Sequence, residues 1–367
     1  MRYLTLYGTR PEAIKLSPVI RLMRKKKMDV VEVFTAQHSD MLSGALPALF
    51  LSPGYNLAAR RKGQSLAELK ATLSDLLPSV FEKALPDAVI VHGDTVTALA
   101  GAETAFLMKL PVIHIEAGLR SHDLFAPFPE EYCRRAIALM ASYHFAPTEA
   151  AKDNLLREGI PEQRITVTGN TGIDALFSAV RKNFSHPLLE KAKGKRLFLL
   201  TLHRRENWGE PMEEALTAVK DALSERDGIL ILYPVHKNPA IRTLVGQVFH
   251  DCPNILLTEP LEAEIFQNLL ARAEGVITDS GGIQEEAVAL GKNALVLREK
   301  TERSEGVLSG HLTLIPCRYT PVKIALTALF DRPNRVPSAP SFLYGNGSAA
   351  QSIVSLLQDE NFQKFLK

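Results

Sequence analysis

The stretch Thr278-Asp279-Ser280-Gly281-Gly282-Ile283-Gln284-Glu285-Glu286 has the residue types and spacing that hold an anion. The apolar run Gly275-Val276-Ile277-Thr278 stops at Asp279, and a helical pattern begins after the glycine pair. Strand, tight turn and helix start would leave the backbone N–H groups of Ser280, Gly281 and Gly282 pointing outward. Such a turn binds phosphate, and the helix dipole adds ~1–2 kcal/mol when the site is partly buried. Glycine matters because a side chain would keep a phosphate from reaching the backbone. Gln284, Glu285 and Glu286 lie on the first helical turn, where a carboxylate can accept both hydroxyls of a ribose. An ordinary helix start with acidic first-turn residues looks the same, so the chemistry rests on what else the chain brings to this turn.

Cations and carboxylates recur directly after other apolar runs. In Gly8-Thr9-Arg10-Pro11-Glu12-Ala13-Ile14-Lys15 the glycine ends a strand and Pro11 suits the first helical position. Arg10 and Lys15 could both bind phosphate, although singly they read as a surface salt bridge. The spacing is neither a Walker loop nor a dinucleotide fingerprint. Asp94, after Val91-His92-Gly93, could simply cap the next helix. Glu116, in His114-Ile115-Glu116-Ala117-Gly118-Leu119-Arg120, is harder to dismiss, being a poor cap and costly beside a buried strand unless something uses it. Glu130 precedes Arg134 by four residues, the spacing of a helical ion pair worth a few tenths of a kcal/mol. His203 and His236 each stand just beyond an apolar run, without metal-ligand spacing. A lone histidine is more often structural than catalytic, and two at equivalent positions beyond neighbouring strands raise the odds of a catalytic role. Arg303 adds a cation after the strand that follows the glycine turn. Together these residues would line a cleft with cations and N–H groups on one side and carboxylates on the other.

The elements that must position them alternate short β-rich runs with longer helical patterns, the mark of parallel sheets covered on both faces. Strands are expected at 3–7, 30–35, 88–92, 112–115, 144–146 and 165–168, then at 197–202, 229–234, 255–257, 275–278, 294–297 and 312–315. Ligands of such sheets sit outside the carboxyl ends of the strands, where the polar residues fall. The reading is an α/β chain of two Rossmann-like domains facing a cleft, residues 1–170 and 171–348, with a helical stretch near 349–367 packing back on the first. A length of 367 residues suits about two domains. A formal charge of +2 gives no electrostatic footprint for nucleic acid. Cys133, Cys252 and Cys317 are too few and scattered for a disulfide framework or a zinc site. With no signal-peptide layout and no run of about 18 apolar residues, no membrane partner and a cytoplasmic location are expected.

The motifs taken in order resemble the non-hydrolysing UDP-N-acetylglucosamine 2-epimerases. The likeness is carried by 8–15, His92-Gly93-Asp94-Thr95, 114–120, Pro129-Glu130-Glu131, Thr168-Gly169-Asn170-Thr171, His203-Arg204-Arg205-Glu206-Asn207, Pro234-Val235-His236 and 278–286, and it runs from residue 3 to about residue 320. It implies a GT-B-like fold, reversible conversion of UDP-GlcNAc to UDP-ManNAc, homodimers, no metal and no other cofactor. By the resemblance, Ser280, Gly281 and Gly282 would bind the diphosphate, Glu286 the ribose and Phe266 the uracil. Arg10, Lys15, His203, His236 and Arg303 would surround phosphate or sugar, with His203 counted among the catalytic groups. Asp94, Glu116 and Glu130 would carry the proton chemistry, with Arg134 supporting Glu130. Gln37, His38 and Gln64 resemble parts of a site at which a second UDP-GlcNAc acts as allosteric activator. Val96, Leu202, Tyr132, Cys133 and Ser304 depart from the family's usual residues, and none removes a reactive group. A hydrolysing epimerase, a GT-B glycosyltransferase and a non-catalytic nucleotide-sugar sensor are the rival readings.

Overall fold

The computed structural model describes residues 1–37, 46–61, 63–224, 226–331 and 339–366. His38 therefore lies outside the described residues. The chain divides into two compact units, Met1–Ala175 together with Gly345–Lys367, and Leu176–Tyr344.

The first unit is built on a seven-stranded parallel sheet. Its strands are β1 (Arg2–Tyr7), β2 (Asp29–Phe34), β3 (Tyr55–Asn56), β4 (Ala88–His92), β5 (Val112–Ile115), β6 (Tyr143–Ala146) and β7 (Ile165–Val167). They lie in the order β3-β2-β1-β4-β5-β6-β7, every pair parallel. The second unit has β8 (Arg196–Thr201), β9 (Ile229–Pro234), β10 (Ile255–Thr258), β11 (Gly275–Thr278), β12 (Asn293–Leu297) and β13 (Leu312–Ile315), ordered β10-β9-β8-β11-β12-β13 and again all parallel. The α/β reading with two parallel sheets holds. The two-residue edge strand β3 was missed, because Tyr55-Asn56 carries no apolar run.

The strands are nearly continuous apolar runs because helices cover both faces. In β1, Tyr3 and Tyr7 face one layer while Leu4 and Leu6 face the other, and all four are fully buried. The first layer includes Leu16, Val19 and Ile20 of the helix Arg10–Lys25 and Ile353, Val354 and Leu357 of the helix Ala349–Gln358. That last helix is tied down twice: Ala349 and Ala350 donate to Asp174 (3.2 and 2.8 Å), and the Tyr3 hydroxyl donates to Leu357 O (2.7 Å). The second layer is formed by the helices Leu66–Ala84, Val96–Leu107 and Glu130–Met140. No helix among the described residues is long and apolar enough to cross a membrane.

Each sheet reverses its winding once, at β1/β4 in the first unit and at β8/β11 in the second. Beyond the carboxyl ends of such a strand pair no crossover covers the crevice, so ligands bind there. The segments that leave these four strands begin at Gly8, Gly93, Leu202 and Asp279.

Candidate active site

In the first unit the polar groups gather beyond β1, β4 and β5. Glu116 follows β5 directly and adopts a left-handed backbone conformation, φ 63°, uncommon for a residue with a side chain. Its carboxylate forms a close ion pair with Lys15 and accepts from Asn170 Nδ2 (2.7 Å). A Cβ on Gly172 would stand 3.3 Å from Lys15 Cε and 3.1 Å from Asn170 Oδ1, so the glycine leaves room for both partners. Asp94, beyond β4, receives the Arg134 guanidinium through Nε and Nη2 (2.8 and 2.7 Å). Arg134 is buried and also reaches Glu131 (3.4 Å). Glu130 opens the helix Glu130–Met140 and is half-buried. The Cys133 thiol is pushed up to about 12 by its own burial first and then by the charges of Asp94 and Glu130.

Supporting groups surround them. His114 Nε2–H donates to Gly93 O (2.8 Å), fixing the residue before Asp94. His92 is buried and its pKa falls to about 4, chiefly through burial, so the ring is neutral near pH 7 beside Glu116, Lys15 and Asp94. Glu12 is buried as well and accepts from Gly8 N (3.0 Å), Thr9 N (2.8 Å) and Thr95 Oγ1 (2.6 Å). It thereby ties the loop carrying Arg10, itself half-buried, to the residue after Asp94. Burial raises the Glu12 carboxyl to about 6 against those hydrogen bonds. The sequence reading missed this residue, although Thr9-x-x-Glu12 is a legible capping box. Of the activator residues, Gln37 accepts from Thr97 Oγ1 (2.9 Å) and Gln64 donates to Thr72 Oγ1 (3.0 Å).

In the second unit the groups gather beyond β8, β9 and β11. Asp279 is fully buried and accepts from His203 N (3.0 Å), Arg204 N (2.8 Å) and Asn207 Nδ2 (3.2 Å). His203 Nδ1 lies 3.1 Å from the same carboxylate. Burial alone would raise Asp279, but His203 and the backbone N–H groups outweigh it and hold the acid below its ordinary value. A proton on Nδ1 facing Asp279 leaves Nε2 as the outward nitrogen of His203. Nothing in the spacing singled out Asp279, which ends a strand in the way a capping residue does. His236 is exposed, accepts from Asn238 N (3.2 Å), and has its pKa lowered by partial burial and by the neighbouring His203.

The glycine turn is a strand-to-helix connection, with Ser280 as N-cap of the helix Gly281–Ala289. One expectation needs correction: the Ser280 N–H donates to Thr278 Oγ1 (3.0 Å) and does not point outward. The threonine hydroxyl, paired with Thr201 Oγ1 across the strands (2.7 Å), is close enough to capture it. The outward donors therefore shift by one residue, to the first-turn N–H groups of Gly281, Gly282 and Ile283, which have no carbonyl one turn back. A Cβ on Gly281 would lie 2.7 Å from Arg303 Nη1, whereas one on Gly282 would meet nothing within 4 Å. Arg303 is buried beneath the turn, bonded to Glu285 (2.8 Å) and closely paired with Glu302. A second expectation shifts likewise: with the helix starting at Gly281, Glu285 and Glu286 fall on its second turn and not its first, and Glu286 accepts from Gln267 Nε2 (2.7 Å). Gln267 adjoins the half-buried Phe266 on the helix Ala263–Arg272 and went unnoticed in the sequence.

These two groups of residues sit on a chain with close relatives. The family model described as UDP-N-acetylglucosamine 2-epimerase matches residues 20–358. The UDP-N-acetylglucosamine 2-epimerase of Bacillus subtilis (strain 168) is 42% identical over 360 residues, covering 97% of this chain and 95% of that protein. The one of Escherichia coli (strain K12) is 38% identical, covering 98% of this chain and 99% of its own length. Among solved structures, UDP-GlcNAc 2-epimerase from Neisseria meningitidis bound to UDP-GlcNAc superposes with a TM-score of 0.91 at 37% identity, covering 98% of this chain and 100% of that one. The Methanocaldococcus jannaschii UDP-GlcNAc 2-epimerase in complex with UDP-GlcNAc and UDP gives 0.86 at 34% identity, with 97% and 99% covered. With the match spanning nearly the whole chain, this protein belongs to the UDP-N-acetylglucosamine 2-epimerase family.

Proposed function

We propose that the protein interconverts UDP-GlcNAc and UDP-ManNAc and keeps UDP as the partner of both directions, the non-hydrolysing reaction. The observation that carries this reading is the fixing of two carboxylates by different cations within one crevice, Glu116 by Lys15 and Asp94 by Arg134. Inverting C2 needs an acid or base on each face of that carbon, and two separately held carboxylates meet the need.

The C2 hydrogen is too weakly acidic to be removed without relief of charge. Breaking the C1–O bond, before or together with loss of the C2 proton, sends its electron pair out with UDP and leaves a glucal-like C1=C2 double bond. Re-addition of UDP re-forms C1–O while a proton reaches C2 from the other face. In this proposal Asp94 and Glu116 move the protons and Glu130 tunes one of them. The departing diphosphate carries the developing charge, which fixed donors stabilise without reorganising. The first-turn N–H groups of Gly281 and Gly282, outward His203 and the exposed His236 supply that stabilisation, and the family resemblance adds Arg10. Lys15 acts through Glu116, and Arg303 shapes the turn from below. Glu286, oriented by Gln267, takes the ribose hydroxyls, and Phe266 flanks the uracil. A homodimer, a cytoplasmic location and a second, activating UDP-GlcNAc belong to the same reading.

The test is UDP-GlcNAc alone in deuterated water, followed by proton NMR. UDP-ManNAc with deuterium at C2 is the expected outcome. Free ManNAc plus UDP would make the protein a hydrolysing enzyme. Unchanged sugar without label would leave it a donor-binding transferase or a sensor.

A further inference from the structure

We propose that the second unit carries another ligand site, for an organic anion with at least two negative charges, in a cavity of about 370 Å³ at the amino-terminal edge of its sheet. Arg196 opens β8, Glu274 stands just before β11 and Lys292 just before β12. His203, Asp279 and the glycine turn all follow the opposite ends of these strands, so the cavity is no part of the site described above.

Its lining holds Lys195, Arg196, Arg272 and Lys292 against a single carboxylate, Glu274. Arg196 takes that carboxylate, through Nε (2.7 Å) and a closer contact from Nη2, and gives Nη1 to Phe330 O (2.6 Å). Arg272 donates to carbonyl oxygens of Asn268 (3.0 Å), Arg181 (2.7 Å) and Lys182 (3.0 Å), and Lys195 to Asn254 Oδ1 (2.9 Å). None of these acceptors carries charge, so among the described residues Lys195, Arg272 and Lys292 have no carboxylate in direct contact around the cavity.

Lys292 is the second and independent observation. The residue is only 9% exposed, and its ammonium makes no hydrogen bond or ion pair among the described residues. Burial lowers its pKa, with the charge of Glu274 acting the other way from a distance. Placing an ammonium in such a position is costly unless an anion joins it. The volume falls within the range of small-molecule pockets and far exceeds what one inorganic phosphate fills. Leu189, Leu197 and Leu329 supply apolar wall for a carbon skeleton. Charge on one side and hydrocarbon on the other define the ligand class.

The experiment titrates the full-length protein, held in saturating UDP to keep the glycine turn occupied, with citrate in one arm and glycerol 3-phosphate in the other. Calorimetry should find saturable binding of at least one, the arm distinguishing a polycarboxylate from a phosphate ester. Lys292→Met should weaken that binding about tenfold or more, the effect of losing one hydrogen bond to a charged group. Ligand-free Lys292→Met should melt no lower than wild type, since an uncompensated buried charge gives way to an apolar chain of similar length. Lys195→Met, nearer the surface, should weaken binding in the same direction and decides the matter if Lys292→Met does not fold. Failure of both compounds to bind wild type, or unchanged affinity in the variants, overturns the proposal. The readout does not involve turnover, so it stands apart from the activity assigned above.

Discussion

Glu116 combines three features that a surface carboxylate lacks: a left-handed backbone, a half-buried lysine partner and an amide donor. Left-handed conformations at residues with side chains cost on the order of 1–3 kcal/mol and persist where neighbours over-determine them. Here Gly93 N donates to Ile115 O (2.9 Å) and Ala117 N to Phe145 O (3.0 Å), locking the backbone on either side. We expect Glu116→Gln to lower turnover of UDP-GlcNAc about 10²–10⁴-fold, the range of a lost acid or base. UDP affinity by calorimetry should stay near wild type, and retention of more than about a tenth of the turnover would refute the role given to Glu116. Glu12 gives a pH prediction. Its carboxyl rises from 4.5 to about 6 on folding, so between those values the folded chain binds more protons than the unfolded one. Stability from this group is therefore present below pH 4.5 and lost as pH rises through about 6, by roughly 2 kcal/mol in all. Denaturant melts of wild type and Glu12→Gln across this window should show a gap that changes with pH; a constant gap would show that Glu12 titrates normally.

At the scale of elements, both units use one device, a polar segment leaving a parallel strand where the winding reverses. In the second unit the two glycines of the turn do different jobs. Gly281 is a glycine because the Arg303 guanidinium, held by Glu285 and Glu302, lies where a Cβ would go. Gly282 faces open space, so its missing side chain serves whatever approaches the helix N-terminus. Gly281→Ala should therefore destabilise the fold by about 1–3 kcal/mol through overpacking. Gly282→Ala should leave the melting temperature nearly unchanged and weaken UDP about tenfold or more, comparable to losing a hydrogen bond to a charged group. Thermal unfolding and UDP titration of both variants separate the two roles. Equal effects on stability would mean that the turn is shaped by something other than Arg303.

At the scale of the whole molecule, the chain leaves its first unit at Ala175 and returns to it at Gly345. Ile353, Val354 and Leu357 are fully buried in the layer built on β1. Leu357→Ala should cost about 2–5 kcal/mol, as large-to-small changes in a packed core do. Hydrogen exchange should show that loss in peptides from residues 1–175 and much less in those from 176–344. A loss confined to the last helices would mean that they dock without supporting the sheet.

Much of this architecture was legible in the order of residues. Apolar runs bounded by glycine, proline and polar residues marked the parallel strands, because a strand covered on both faces has to be apolar throughout. Polar residues placed just beyond those runs marked the crevice, since strand direction and winding put ligands at carboxyl ends. The motifs carried the family. Tertiary structure alone decided which partner each polar side chain takes: Asp279 under His203, Gln267 on Glu286, Arg303 beneath Gly281, and the Ser280 N–H turned to Thr278. Periodicity reports only which face of an element is apolar. The aim of a polar group depends on donors and acceptors arriving from elements distant in the chain, and those meet only when the sheets assemble.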